Sequence, residues 1–118
     1  MLLRGCGSAT PSRSISNADL GQRVDTSDSW IRSRTGITAR RVIGPSESLI
    51  DLCASAASGA LAMADWEAGS LDLILLATST PDDLFGSAPR LQSRLGADHA
   101  VAFDLTAACS GFLFAVIT

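Results

Sequence analysis

The sequence predicts an α/β layered fold, on three observations. Two short runs, residues 71–77 and Val101–Leu105, are almost continuously apolar, as strands of a parallel sheet are when both faces are covered. Helical patterns precede, separate and follow them, giving the order helix, strand, helix, strand, helix. Each strand runs into a polar or small-residue loop, and ligands in such folds gather at the carboxyl ends of the strands.

The bulk numbers agree and narrow the function. A chain of 118 residues is one small domain, and 47% apolar against 18% charged residues makes it globular rather than disordered. The net charge of −3 argues against general nucleic-acid binding. No apolar run reaches the roughly 18 residues that span a membrane. With one histidine and one asparagine, any mechanism that needs several of either cannot be completed within these residues. The three cysteines, Cys6, Cys53 and Cys109, are an odd number without a CxxC pair. They indicate neither a disulfide framework nor a zinc site, and no metal spacing occurs elsewhere. A reducing, cytoplasmic setting fits best. Residues 1–6 lack the apolar stretch of a signal peptide.

In chain order, Leu2 and Leu3 lead into Gly5-Cys6-Gly7 and Pro11, which reads as a short strand and a tight glycine turn. The pattern falls short of a dinucleotide fingerprint, because Pro11, Ser12 and Ser14 intervene where a helix should open. Residues 16–20 form a helical turn. A second helix follows, with Thr26 as N-cap and Asp28 at the positive helix end. Gly36 suits its left-handed stop. Arg32, Arg34, Arg40 and Arg41 crowd into ten residues. They read either as a solvated basic face or as an anion site, since guanidinium forks match phosphate geometry. Trp30 beside them suits a ligand with a stackable base.

Residues 48–64 are the clearest helix. Ser48 and Asp51 resemble a capping box, and Leu49, Leu52, Cys53, Ala56, Ala60 and Met63 recur at helical spacing. Cys53 on that face is a core residue. After the first apolar strand comes the polar loop 78–83. Ser87 then caps a helix with Pro89 in its first turn, and Gly96 ends it. The second strand is followed by Thr106-Ala107-Ala108-Cys109-Ser110-Gly111 and an apolar helix.

Cys109 lies where a buried strand turns into a helix. The free N–H groups and dipole of a helix start favour a thiolate and can hold a developing oxyanion. The small residues around it allow a tight turn, a thiol counterpart of the serine nucleophile turn of hydrolases. The other reading is a plain buried cysteine ahead of an apolar helix. His99 is the one histidine that can serve as a base, but it precedes the strand that carries Cys109 away at roughly 3.3 Å per residue. It reads as a surface residue.

At this point the motifs resemble a known family, β-ketoacyl-acyl-carrier-protein synthase III, the initiating condensing enzymes of type II fatty-acid synthesis. The motifs are Gly5-x-Gly7-Ser8-x-x-Pro11, Asn17-Ala18-Asp19-Leu20, Val24-Asp25-Thr26-Ser27-Asp28-x-Trp30-Ile31, Arg34-Thr35-Gly36-Ile37, Ala77-Thr78-Ser79-Thr80-Pro81-Asp82 and Ala102-Phe103-Asp104-Leu105-x-Ala107-Ala108-Cys109-Ser110-Gly111-Phe112. The resemblance covers residues 1–118 and is to the N-terminal third of that family.

The resemblance implies a thiolase-like fold, layered α-β-α-β-α, of which this chain holds part of the N-terminal half. It implies that Cys109 takes an acetyl or other short acyl group from acyl-CoA. Malonyl-acyl carrier protein then decarboxylates and condenses with that group, giving 3-oxoacyl-acyl carrier protein, CoA and CO₂. It implies that Trp30 stacks on the CoA adenine, that Thr26 and Arg34 line the CoA entrance, and that Phe85 reaches across a homodimer to the partner's acyl pocket. CoA thioester is then a substrate, and no cofactor is expected. The family's catalytic histidine and asparagine fall in its C-terminal half, and Asn17 and His99 do not match them. The apolar end at residues 112–118 is expected to lie in a buried core element of a longer protein, and the chain alone to be inactive and poorly soluble. The competing expectations are a truncated product that binds CoA or a partner without catalysis, and a condensing enzyme of a specialised acyl or polyketide pathway.

Overall fold

A computed structural model describes residues 2–81 and 84–118. Met1 and the loop residues Asp82 and Asp83, the former in the sequence motif above, lie outside the described residues. The chain divides into two units, one of Met1–Ala9 with Leu49–Thr118, the other of Thr10–Ser48.

The Thr10–Ser48 unit is a hairpin-like frame around two helices. Strand β1 (Arg13–Ser16) pairs antiparallel with β2 (Ala39–Val42), Arg13 opposite Val42 and Ser16 opposite Ala39. Neither strand is evident in the sequence, because both are short, polar and mostly exposed. Between them lie α1 (Asn17–Gly21) and α2 (Asp28–Thr35). The Ser16 hydroxyl accepts from the Asp19 amide while the Asp19 carboxylate accepts from the Ser16 amide, a capping box that starts α1. Helix α2 is capped by Ser27, whose hydroxyl accepts from the Trp30 amide, and not by Thr26 as the sequence suggests. The serine one residue on has the extended backbone a cap needs. Gly36 ends α2 at φ 72°, as expected.

The larger unit is built on a βαβ element. Strand β3 (Leu73–Ala77) pairs in parallel with β4 (Val101–Leu105), Leu73 opposite Val101 and Ala77 opposite Leu105. The crossover carries α4 (Ala88–Leu95). Ahead of it lies α3 (Leu49–Ala64), and after β4 a 3-10 turn (Ala108–Ser110) leads into α5 (Gly111–Ile117). Alternate strand residues point to opposite faces. Ile74 faces the core formed with Ile50 of α3, Leu91 of α4, Ala97 and Ala100, with Cys53 packed on its edge as expected. Leu75 and Ala77 face the side on which α5 lies. The result is an α-β-α sandwich.

Several expectations change here. The strands are not buried on both faces: Leu73 and Val101 are exposed. A two-stranded sheet offers its helices too little area to cover every apolar residue. Met63 of α3 is also exposed, well past Ala54, the last α3 residue packed against the core. Leu2 and Leu3 form no strand. Gly5 and Gly7 serve close packing rather than a turn, since a Cβ on either would run into the Ala60 or Ala56 carbonyl of α3. Ser87 precedes α4 without capping it through its own hydroxyl. Instead the Asp104 carboxylate of β4 accepts from the Ser87 amide at 2.8 Å and the Ala88 amide at 2.6 Å. Among the described residues no helix is long and apolar enough to cross a membrane.

Candidate active site

The turn that bears Cys109 begins where the parallel pairing outlasts the strands. The Thr78 amide donates to the Leu105 carbonyl at 3.1 Å, and the Thr106 hydroxyl donates to the Thr78 carbonyl at 3.0 Å. These bonds hold the segment after β4 against the segment after β3. The chain then turns sharply. Ala108 sits at φ 46°, a left-handed conformation that costs a residue with a Cβ about 1–2 kcal/mol. The Ser110 amide closes the 3-10 turn on the Ala107 carbonyl at 3.0 Å. Helix α5 starts flush against β3: Gly111 is buried, and a Cβ there would meet that of Ala77 at 3.2 Å.

Cys109 is exposed on this turn and is a free thiol. It opens on a cavity of about 570 Å³ lined by Leu75, Ala77 and Thr78 on one side and by Phe112 and Val116 on the other. Of the two sequence readings, the buried core cysteine is set aside by this exposure. The thiol therefore has apolar side chains beside it, Leu75 on one side and Phe112 and Val116 on the other. His99 is exposed and precedes β4, whereas Cys109 follows it, so the histidine stands at the opposite end of the strand.

Phe85 is almost fully exposed and lines a different cavity, about 390 Å³, with Leu84, Pro89, Phe103 and Asp104. Gly86 beside it has φ 88°, and a Cβ there would press on the Asp104 carboxylate at 3.1–3.4 Å. The strand that presents Cys109 therefore also holds the turn that presents Phe85.

In the Thr10–Ser48 unit, Thr26 and Trp30 line a cavity of about 330 Å³ with Asp25 and Ser27. Trp30 is 58% exposed. The Thr26 hydroxyl is buried and has no partner among the described residues. Arg34 lies one turn beyond Trp30 on the same helix face, exposed, and outside that cavity. The arginine cluster divides. Arg40 donates to Asn17 at 2.6 Å and Arg41 to the Ser12 carbonyl at 2.8 Å, so both hold the frame together. Arg32 pairs loosely with Asp28 at 3.8 Å. The signal that separates them is strand register: Arg40 and Arg41 belong to β2, which the sequence does not reveal.

Fold and turn define a class: a thiolase-like α/β segment carrying a cysteine at the strand-to-helix turn. Known proteins make the class particular. No protein-family profile matches the chain. It is 76% identical over 116 residues to a β-ketoacyl-[acyl-carrier-protein] synthase III of Prochlorococcus marinus strain MIT 9313, covering 98% of this chain and 34% of the relative. It is 63% identical over 118 residues to the enzyme of the same name from Acaryochloris marina, covering 36% of it. The crystal structure of 3-oxoacyl-[acyl-carrier-protein] synthase III from Aquifex aeolicus VF5 superposes with a TM-score of 0.92 at 43% identity, over 97% of this chain and 37% of that one. A priming β-ketosynthase of the R1128 polyketide pathway superposes at 0.91 with 35% identity, over 97% of this chain and 34% of that one. By sequence and fold the chain is similar to part of the β-ketoacyl-acyl-carrier-protein synthase III enzymes. It spans about a third of the length of the curated relatives it matches.

Proposed function

We propose that this chain is the nucleophile-bearing part of an initiating condensing enzyme. The observation that carries the reading is Cys109: an exposed thiol on a strained turn at the carboxyl end of a parallel strand, facing an open, partly apolar cavity.

The Cys109 thiolate attacks the carbonyl of a short acyl-CoA. The carbon–sulfur bond to CoA breaks and CoA leaves as its thiol, leaving an acyl-cysteine. Backbone N–H groups of the turn steady the oxyanion that forms. Malonyl-acyl carrier protein then loses CO₂, and the resulting thioester enolate attacks the acyl-cysteine carbonyl. The new carbon–carbon bond gives 3-oxoacyl-acyl carrier protein, and the Cys109 sulfur is released. CoA enters as substrate, and the reaction calls for no separate cofactor. Thr26 and Trp30 hold the CoA nucleotide in their cavity, with the adenine on the indole and the Thr26 hydroxyl gaining a partner. Arg34 meets its anionic groups. Phe85, projecting from its turn, shapes the acyl pocket of a second copy in a homodimer. The setting is cytoplasmic, where acyl-CoA is available.

The polyketide priming synthase among the structural relatives favours a second reading, a specialised pathway with the same chemistry and a different acyl group.

The test is condensation of acetyl-CoA with malonyl-acyl carrier protein by the protein as its gene encodes it. Cys109→Ala abolishes 3-oxoacyl product. Product formation that survives in Cys109→Ala refutes the assignment. A preference for longer or branched acyl-CoA over acetyl-CoA supports the second reading.

A further inference from the structure

We propose that Asn17 is the positioning residue of the coenzyme site, a role that rests on the reading of α2 as the helix that meets CoA. Asn17 is 1% exposed. Its amide nitrogen donates to Asp28 Oδ1 at 2.8 Å and to the Ile37 carbonyl at 2.7 Å. Asp28 is the first residue of α2, and Ile37 follows the Gly36 that ends it. One side chain therefore grips α2 at both ends.

The Asn17 oxygen accepts from Arg40 Nη1 at 2.6 Å, which ties the grip to β2. Its backbone amide donates to the Thr38 carbonyl at 3.3 Å. The neighbours decide the chemistry. A carboxylate and a carbonyl can only accept, and a guanidinium can only donate. A side chain at this place must offer two N–H groups and one oxygen, which asparagine does. Aspartate has no N–H and would set a second carboxylate beside Asp28. Leucine would offer a hydrogen bond to none of the three partners.

The grip matters because α2 has eight residues, too few to hold its own geometry in water. Its placement comes from Asn17 at its ends and from Ile31, buried at its middle. Beside Ile31, the solvent-facing side of the helix carries the exposed Trp30 and Arg34. Loosening the ends moves the indole relative to Thr26 and weakens the nucleotide contact. The acyl-transfer chemistry at Cys109 is left alone.

The experiment measures CoA binding by calorimetry and Cys109 alkylation by iodoacetamide, on the protein as its gene encodes it. Asn17→Asp is expected to weaken CoA binding at least tenfold and to leave the Cys109 alkylation rate within twofold. Arg40→Gln, which loses only the outer link, is expected to weaken CoA binding about threefold. Trp30→Ala serves as the reference for the coenzyme reading. If Trp30→Ala weakens CoA binding while folded Asn17→Asp and Arg40→Gln do not, the positioning role is overturned and the coenzyme reading stands. If Trp30→Ala has no effect, the coenzyme reading fails and the positioning role falls with it. Should Asn17→Asp not fold, Arg40→Gln decides: unchanged CoA affinity overturns the role, and a folded protein with weakened affinity and normal alkylation supports it.

Discussion

The carboxylate of Asp104, in the last turn-facing part of β4, caps helix α4 by accepting from the amide of Ala88 at 2.6 Å. The Ser87 amide shares the same carboxylate. A negative group at the positive end of a helix is favourable, and here it comes from a neighbouring strand. The cap links the strand that leads to Cys109 with the turn that bears Phe85. Asp104→Ala is expected to lower stability by about 1–2 kcal/mol, the upper part of the range for losing a cap. Urea unfolding checks it. Amide exchange at Ser87 and Ala88 should speed up in the variant, and unchanged exchange there would contradict the cap.

Gly7 lies where the chain crosses α3, and a Cβ there would strike the Ala56 carbonyl. Backbone cannot yield as a side chain tip does. Gly7→Ala is expected to cost about 1–3 kcal/mol, the usual range for overpacking. Gly69 has nothing within 4 Å of such a Cβ, so Gly69→Ala is the matched control and should be near neutral. Thermal unfolding of the two variants side by side distinguishes them.

These two positions show what the sequence discloses and what it hides. The βαβ element, α3 and the cysteine turn are legible, because apolar runs, helical spacing and Gly36 and Gly96 are local signals. Strands β1 and β2 are not, since Arg13-Ser14-Ile15-Ser16 and Ala39-Arg40-Arg41-Val42 carry no apolar alternation and are set by pairing across 23 or more residues. The Asp104 cap is hidden for the same reason: its partners are 16 and 17 residues away in sequence. Gly5 and Gly7 announce a special backbone position, but whether a turn or a close crossing demands it depends on α3. Cys109 was readable as a site candidate from its place between strand and helix, while its exposure depends on how little of α5 the sheet covers.

Acid should loosen the Thr10–Ser48 unit. Glu47 accepts from the amides of Gly44 and Ser12, and these bonds hold its carboxyl below the usual range. Asp19 is held low by the Ser16 hydroxyl and then by the Ser16 amide. Both folded values are depressed, so the stabilisation is fully present above the unfolded carboxylate values of about 4 and is lost as pH falls through the folded ones. Exchange protection of the Ser12, Ser16 and Gly44 amides should therefore hold from neutral pH downward and fall below about pH 4. Glu47→Gln should remove the pH dependence at Ser12 and Gly44 only. Protection independent of pH in the parent protein would contradict this.

The unpartnered Thr26 hydroxyl separates binding from stability. Thr26→Val keeps the shape and removes a buried polar group that has no bond to lose. Stability should stay level or rise by up to about 1 kcal/mol, while CoA affinity falls. A loss of stability with CoA affinity intact would show that the hydroxyl serves the fold.

The central claim is that Cys109 carries the acyl group, and one measurement reaches it directly. The protein as its gene encodes it is incubated with labelled acetyl-CoA, quenched in acid, digested and examined by mass spectrometry. The account predicts one acetyl group on the peptide that contains Cys109, absent in Cys109→Ala and released on adding malonyl-acyl carrier protein. An unmodified Cys109, or an acetyl group found on Cys6 or Cys53 instead, would contradict it.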